Sequence, residues 1–285
     1  IAEERGYHVD MSAFETAEQE HATISGGGLA MGEMDMAESY NAVLNQLKAD
    51  KSLSSDGVEY LPYGDTTISA NVVALTQNGN PISDLSVGDK VEVVLNRTPF
   101  YVEAGGQVSD TGTIRAENWE IEVEDTRRPV GGLIIHIGEV VQGTPKVGDS
   151  VSAMVDADRR GDITRNHTGT HLLHAALRNH LGIHVQQRGS LVAPERLRFD
   201  FAHDARMTSD QLKAVETEVN QVILANYPVK SAVKSLQQAK SEGAMALFGE
   251  KYGETVRTVI IENGTRYSYE LCGGVHVAST ADIGM

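Results

Sequence analysis

The hydrophobic period changes twice along this chain, and that switch restricts its fold more than any other feature. Between about residues 51 and 155 apolar side chains recur at every second position, whereas the flanking segments repeat at helical spacing. In the middle stretch Val91, Val93 and Leu95 alternate with Glu92, Val94 and Asn96. Val72-Val73-Ala74-Leu75 runs into the turn-rich Asn78-Gly79-Asn80-Pro81, and Ile121, Val123 and Leu133-Ile134-Ile135 continue as short strands at barrel-like spacing. Val87-Gly88-Asp89-Lys90-Val91 is echoed by Val147-Gly148-Asp149-Ser150-Val151, each a turn leading into a strand. A small β-barrel is expected here.

On the N-terminal side, Phe14, Ala17, Glu18 and His21 keep helical spacing until Gly26-Gly27-Gly28 breaks it, and a second helical run covers about 36–47. This segment holds too few large apolar residues for a domain and reads as a connector. Helices return after Asp158. Residues 163–181 carry an apolar stripe of Leu172, Leu173, Ala176 and Leu177, stopped by Gly182. Strands are expected over 189–192 and 197–201. Thr208-Ser209-Asp210-Gln211 is a capping box opening another helix, with Leu212, Val215, Val219, Val222 and Ile223 on one face and Tyr227-Pro228 at its end. Strands over 256–261 and 267–271 are joined by the hairpin signal Glu262-Asn263-Gly264-Thr265. The expected class is α+β, with a helical connector over 1–50, a β-barrel over 51–155 and an α+β core over 156–285.

Composition excludes several classes. With 40% hydrophobic and 22% charged residues, wholesale disorder is out. A single cysteine forbids an intrachain disulfide, and no apolar run approaches the roughly 20 residues of a membrane span. The opening Ile1-Ala2-Glu3-Glu4-Arg5 has neither initiator Met nor signal peptide, so the chain reads as a piece of something longer. A net charge of −16 argues against nucleic acid at face value. Its distribution reverses that argument: residues 1–150 hold 25 acidic and 9 basic side chains, and residues 151–285 hold 15 of each. Arg159, Arg160, Arg165, Arg178, Arg188, Arg196 and Arg198 crowd the start of the balanced half. Such a run by itself reads first as a solvated, salt-bridged face, and the other reading has Arg159, Arg160 and Arg165 meeting RNA.

That half also carries the chemistry. His167-Thr168-Gly169-Thr170-His171 lies on the expected helix, where residues four apart project from one face and reach one ion. Cys272-Gly273-Gly274-Val275-His276 puts the sole thiol four residues from another histidine, with glycines that let the backbone curl. One thiolate and three imidazoles suit zinc. Spacing alone leaves two readings open, because ordinary buried histidines share this pattern and His174, His180, His184 and His203 lie nearby. The position after the first histidine is Thr168, not the Glu of a zinc peptidase, and no GxSxG elbow occurs.

The stretch from Arg165-Asn166-His167 through His171-Leu172-Leu173-His174 resembles the editing domain of alanyl-tRNA synthetases. So do Val185-Gln186-Gln187-Arg188-Gly189-Ser190, Leu197-Arg198-Phe199-Asp200-Phe201, Gly243-Ala244-Met245-Ala246-Leu247-Phe248-Gly249 and Glu270-Leu271-Cys272-Gly273-Gly274-Val275-His276, in the same order. Thr98-Pro99-Phe100-Tyr101-Val102-Glu103-Ala104-Gly105-Gly106-Gln107 is similar to the family's glycine-rich signature. The likeness is dense over about 95–285 and loose before that. It implies a cytoplasmic, zinc-dependent deacylase that clears serine or glycine from tRNA-Ala. The aminoacylation and C-terminal regions of such a synthetase have no counterpart in this sequence and belong among its partners. The resemblance implies zinc on His167, His171, Cys272 and His276. It implies that Gln187 binds or orients the aminoacyl ester in catalysis and that the terminal adenosine lies near Gly105 and Gly106. Thr168, as a catalytic candidate, and Thr170 stand beside the ligands in reach of the amino acid, with hydroxyls bonded back to the i−4 carbonyl as the other reading, more so for Thr170. Ser190 and Arg165 complete the substrate-binding candidates. A non-catalytic tRNA-binding module and a freestanding deacylase are the other readings. The family usually has Ala where Gly169 stands, Thr where Val275 stands and Glu-Ser where Glu103-Ala104 stands.

Overall fold

The computed structural model describes residues 31–246 and 252–284; the helical spacing over 14–21 and the glycine break at 26–28 lie outside them. The strands expected in the middle of the chain close on themselves. Strands β2 (Thr67–Gln77), β4 (Lys90–Leu95), β6 (Gly112–Arg115), β7 (Glu120–Val130), β8 (Leu133–Gln142) and β9 (Ser150–Val155) follow the order β2-β4-β8-β7-β6-β9, and β9 pairs back onto β2. The short β1 (Glu59–Tyr60) pairs in parallel with β5 (Arg97–Thr98), and β3 (Asn80–Pro81) extends the edge beside β2. Closure removes the open edges that a sheet of this size would otherwise expose. The alternation read from the sequence holds inside the barrel, where Val91, Val93, Leu95, Ile121 and Val123 pack with Phe100, Ile114 and Trp119.

The outward face departs from that alternation. Glu92 was expected among the outward polar residues, yet it is buried, and Val94 packs under a helix. The helix is α1 (Met31–Ala49), whose Tyr40, Val43, Leu44 and Leu47 join Leu133, Ile134 and Ile135 in one apolar layer on the barrel. The segment expected as a bare connector therefore docks. The Glu92 carboxylate accepts from the hydroxyls of Tyr40 and Thr76, both at 2.7 Å, and from the N–H groups of Asn78 and Gly79. A buried carboxylate is tolerable only with this degree of hydrogen bonding.

The barrel feeds directly into the helix of the α+β half. Helix α2 (Ala157–Leu181) starts six residues earlier than the apolar stripe suggested, because Asp156 caps it by accepting from the Arg159 N–H. Gly182, at φ 117°, ends it as expected, with its N–H donating to Arg178. The hairpin β10 (Gln187–Val192) and β11 (Leu197–Phe201) covers one side of α2. Helix α3 (Ser209–Leu224) opens at the Thr208–Gln211 capping box and packs on α2 through Val215. A three-stranded antiparallel sheet of β12 (Val229–Ser235), β13 (Thr255–Asn263) and β14 (Thr265–Leu271) lies beyond, with α4 (Leu236–Ser241) after β12. Strand β12 and α4 had no counterpart in the sequence reading. Gly264, at φ 72°, makes the β13–β14 turn. No helix among the described residues is long and apolar enough to cross a membrane.

Candidate metal centre

The two histidine-bearing segments, a hundred residues apart, meet. His167 and His171 project from one face of α2 a turn apart, with rings 5.5 Å apart and nearly parallel. Cys272 and His276 sit on the loop leaving β14. The four ligand atoms lie within 4.8 Å of one another, the Cys272 sulfur being 3.4 Å from His167 Nε2 and 3.3 Å from His276 Nε2.

What surrounds the four residues fixes how they point. His167 donates its Nδ1–H to the side-chain oxygen of Gln107 at 2.7 Å, and that oxygen also accepts the Val275 N–H. His171 Nδ1 lies 3.1 Å from the Glu270 carboxylate. The Thr168 hydroxyl donates to the Thr164 carbonyl, so its oxygen accepts from His276 Nδ1 at 3.2 Å and from the Val277 N–H. An amide, a carboxylate and a hydroxyl thus hold all three Nδ1 atoms as donors, and all three Nε2 lone pairs face the thiol. This is the outer ring that metal-ligating histidines require. His171 Nε2 is buried and has no hydrogen-bond partner among the described residues. An unpaired acceptor beside a thiol and two further imidazoles fits a borderline-soft divalent cation.

Electrostatics favour a ligating thiolate at Cys272 and a proton on His171, which a cation at this place would displace. Burial opposes ionisation of the Cys272 thiol, but His167, His276 and His171 hold it well below the usual thiol range, in the form that ligates. Burial likewise works against a charged His171, and Glu270 with Cys272 outweighs it, so its pKa stands well above the ordinary value. For His276 burial prevails and pushes the pKa down to about 3. Glu270 stays ionised below the usual range: burial opposes this, and His171 overcomes it with help from His174.

The loop bearing Cys272 is clamped. The Arg257 guanidinium donates to the carbonyls of Cys272 and Gly274 at 3.1 and 2.7 Å and lies 4.1 Å over the Tyr63 ring. The Tyr63 hydroxyl donates to the Gly273 carbonyl at 2.6 Å. At Gly274 a Cβ would come within 2.0 Å of the His167 ring, so only glycine lets the loop approach α2. Gln107, Glu270, Arg257 and Tyr63 were given no role from sequence. Glu270 carried a signal: it precedes Cys272 by two at the end of a strand, and period two turns both side chains to one side.

A cavity of about 290 Å³ opens onto three of the four residues, His167, His171 and Cys272, and is lined as well by Gly105, Thr170, Gln187 and Ser190. Gln187 faces it with no hydrogen bond from its amide among the described residues. Other residues singled out from the sequence stand elsewhere. Thr168 is fully buried, spends its hydroxyl on Thr164, His276 and Val277, and does not line the cavity. Thr170 lines it but donates its hydroxyl back to the Asn166 carbonyl. Gly106, at φ 84°, packs against the Ser190 backbone, where a Cβ would come within 2.6 Å. Arg165 pairs with Asp162 beside it and stays outside the cavity. Arg160, expected to meet RNA with Arg159 and Arg165, is buried on Asp110 and also donates to the carbonyls of Pro62 and Pro99. At Gly169 a Cβ would meet Leu197 at an ordinary 3.5 Å, so the family's Ala would fit.

A barrel joined to an α+β half, with a His/Cys cluster where they meet, finds its relatives among the tRNA synthetases. Residues 1–159 match the family model described as tRNA synthetases class II (A), and residues 256–285 match the threonyl and alanyl tRNA synthetase second additional domain. The alanine--tRNA ligase of Chelativorans sp. is 42% identical over 290 aligned positions, covering 99% of this chain and 32% of that protein. The enzyme of Mesorhizobium japonicum shows the same 42% and the same coverages. That of Rhizobium johnstonii is 48% identical over 80% of this chain and 26% of its own length. This chain belongs to the alanyl-tRNA synthetase family. It spans between a quarter and a third of the curated relatives it matches.

Proposed function

We propose that this chain is the editing part of an alanine--tRNA ligase and hydrolyses the ester of tRNA-Ala mischarged with serine or glycine. The observation that carries the reading is the thiol-imidazole cluster at the floor of an open cavity, each Nδ1 held so that each Nε2 faces inward. An aminoacyl ester is labile, so the site has only to place water and stabilise an oxyanion. Zinc on His167, His171, Cys272 and His276 would supply Lewis acidity or a polarised water. Gln187, with its free amide at the cavity wall, donates to the ester carbonyl and accepts from the amino group or water. Gly105 at the rim leaves room for the terminal adenosine, and Thr170 and Ser190 line the amino-acid side. Thr168 acts through His276 as a positioning residue.

The competing reading is a tRNA-binding module with structural metal, favoured by the four protein ligands, which fill a tetrahedral shell. The two separate in one assay. The purified chain is expected to deacylate Ser-tRNA-Ala and spare Ala-tRNA-Ala, and to lose that activity with chelator. Stable Ser-tRNA-Ala in the presence of fully metallated protein would leave only the binding module.

A further inference from the structure

The loop between Cys272 and His276 separates two openings. On one side is the cavity with Gln187; on the other, a cleft of about 370 Å³ reaches His276 from behind. Arg257 lines both. The second cleft is unusual for this chain: in a protein with 40 acidic side chains against 24 basic, it is lined by Arg160, Lys230 and Arg257 and, among the described residues, by no carboxylate. Thr66, Thr164 and Ser231 add hydroxyls. Arg160 is already neutralised by Asp110, so the available charge belongs to the other two. Among the described residues Arg257 pairs with no carboxylate and Lys230 meets only Glu262, at an exposed 3.5 Å. Strand β12 is the edge of its sheet, and the Val229 N–H points outward to Ala278. Antiparallel alternation turns the Ser231 N–H to the same side, giving the cleft a backbone donor.

The ridge between the openings carries no side chain. Gly274 is explained by its packing on His167, but nothing in the fold explains Gly273. Gly273 is exposed, its φ lies outside the left-handed region, and a Cβ there would meet only the Tyr63 hydroxyl at 4.0 Å. A glycine that the fold does not need, on a ridge between two cavities, suits a ligand crossing close to the backbone. We propose that the Gly273 ridge is a saddle for the 3′ end of an RNA strand, with the esterified end in the Gln187 cavity and a backbone phosphate in the cleft of Lys230, Arg257 and Ser231. This rests on the editing reading and adds to it where the strand runs.

The test is binding of a short RNA with a single-stranded, uncharged 3′ end to the whole chain, titrated at several salt concentrations. Lys230→Gln is expected to weaken binding and lower the slope of log K against log salt by about 0.7, the loss of one single-strand phosphate contact. Lys230→Arg is expected to retain it. Gly273→Val is expected to lose the complex at a salt concentration where wild type keeps it, with metal content and melting temperature unchanged. Should Gly273→Val unfold, the exposed Lys230 pair decides alone. RNA binding and slope unchanged in Lys230→Gln and in a folded Gly273→Val would overturn the proposal. So would inorganic phosphate filling the cleft as tightly as the RNA, which marks a small-anion site. Because the RNA carries no amino acid, hydrolysis is not read: wild-type deacylation with unaffected variants removes the saddle and leaves the editing reading. Variant-sensitive RNA binding by a protein that cleaves no ester does the reverse.

Discussion

The side-chain oxygen of Gln107 accepts the Nδ1–H of His167 at 2.7 Å, across 60 residues of sequence. Gln107 stands on the loop between β5 and the barrel strand β6, and the histidine on the helix that follows the barrel, so one side chain ties the barrel to the His/Cys cluster. The same oxygen takes the Val275 N–H, which fixes the amide's orientation and steadies the loop of Cys272. Gln107→Leu removes both contacts and is expected to lower metal affinity about 10–100-fold, as loss of an outer-ring partner does elsewhere. Gln107→Glu keeps an acceptor at that place and is expected to hold its metal. Competition with a chromophoric chelator measures both; equal affinity in Leu and wild type would make Gln107 a bystander.

Much of this centre was legible in the sequence, and the reasons are local. The helix places His167 beside His171, and the glycines bend the loop of Cys272 and His276, so each pair follows from spacing alone. What joined the pairs is tertiary. Arg160 looked like one more surface cation because its partner Asp110 lies 50 residues away, and Glu92 looked solvated because its partner Tyr40 sits on another element. Strand β12 escaped because Val229-Lys230-Ser231-Ala232-Val233-Lys234-Ser235 is largely exposed and lacks a buried face; its ladder with β13 makes it a strand. Helix α2 began early for a similar reason: its first turns carry Arg159 and Arg160, not the apolar stripe.

Gln187 faces the cavity with its amide unspent, unlike a structural amide satisfied by neighbouring backbone. Gln187→Ala is expected to slow hydrolysis of Ser-tRNA-Ala about 10²–10³-fold, the usual consequence of removing an oxyanion donor. Metal content and melting temperature are expected to match wild type. A variant that hydrolyses at the normal rate, or one that unfolds, contradicts the role.

The Glu92 carboxylate anchors α1 to the barrel through four donors. Glu92→Leu strands them in a buried layer. Each unsatisfied group costs about 1–3 kcal/mol, so a loss of roughly 3 kcal/mol or more is expected in denaturant unfolding. A change below about 1 kcal/mol would mean that water reaches these donors.

His136 is fully buried in the barrel wall, its Nδ1–H donating to the Val93 carbonyl at 2.9 Å and its Nε2 accepting from the Thr98 hydroxyl at 2.7 Å. Burial pushes its pKa down to about 4 from 6.5, against the pull of the Val93 carbonyl. Below pH 6.5 the unfolded chain takes a proton that the folded chain refuses, so stability falls with pH until about 4 and is unaffected above 6.5. The full loss is about 3 kcal/mol. In thermal melts from pH 7 to 4.5, His136→Asn is expected to lose this part of the acid sensitivity; parallel curves would place the proton elsewhere.

Four side chains from two elements sharing one ion make the proposed centre, and metal analysis of the purified chain tests that most directly. Wild type is expected to carry one zinc per chain, and Cys272→Ala, stripped of the only thiolate, to carry far less while remaining folded by circular dichroism. Equal zinc in the two proteins would contradict the centre built on His167, His171, Cys272 and His276.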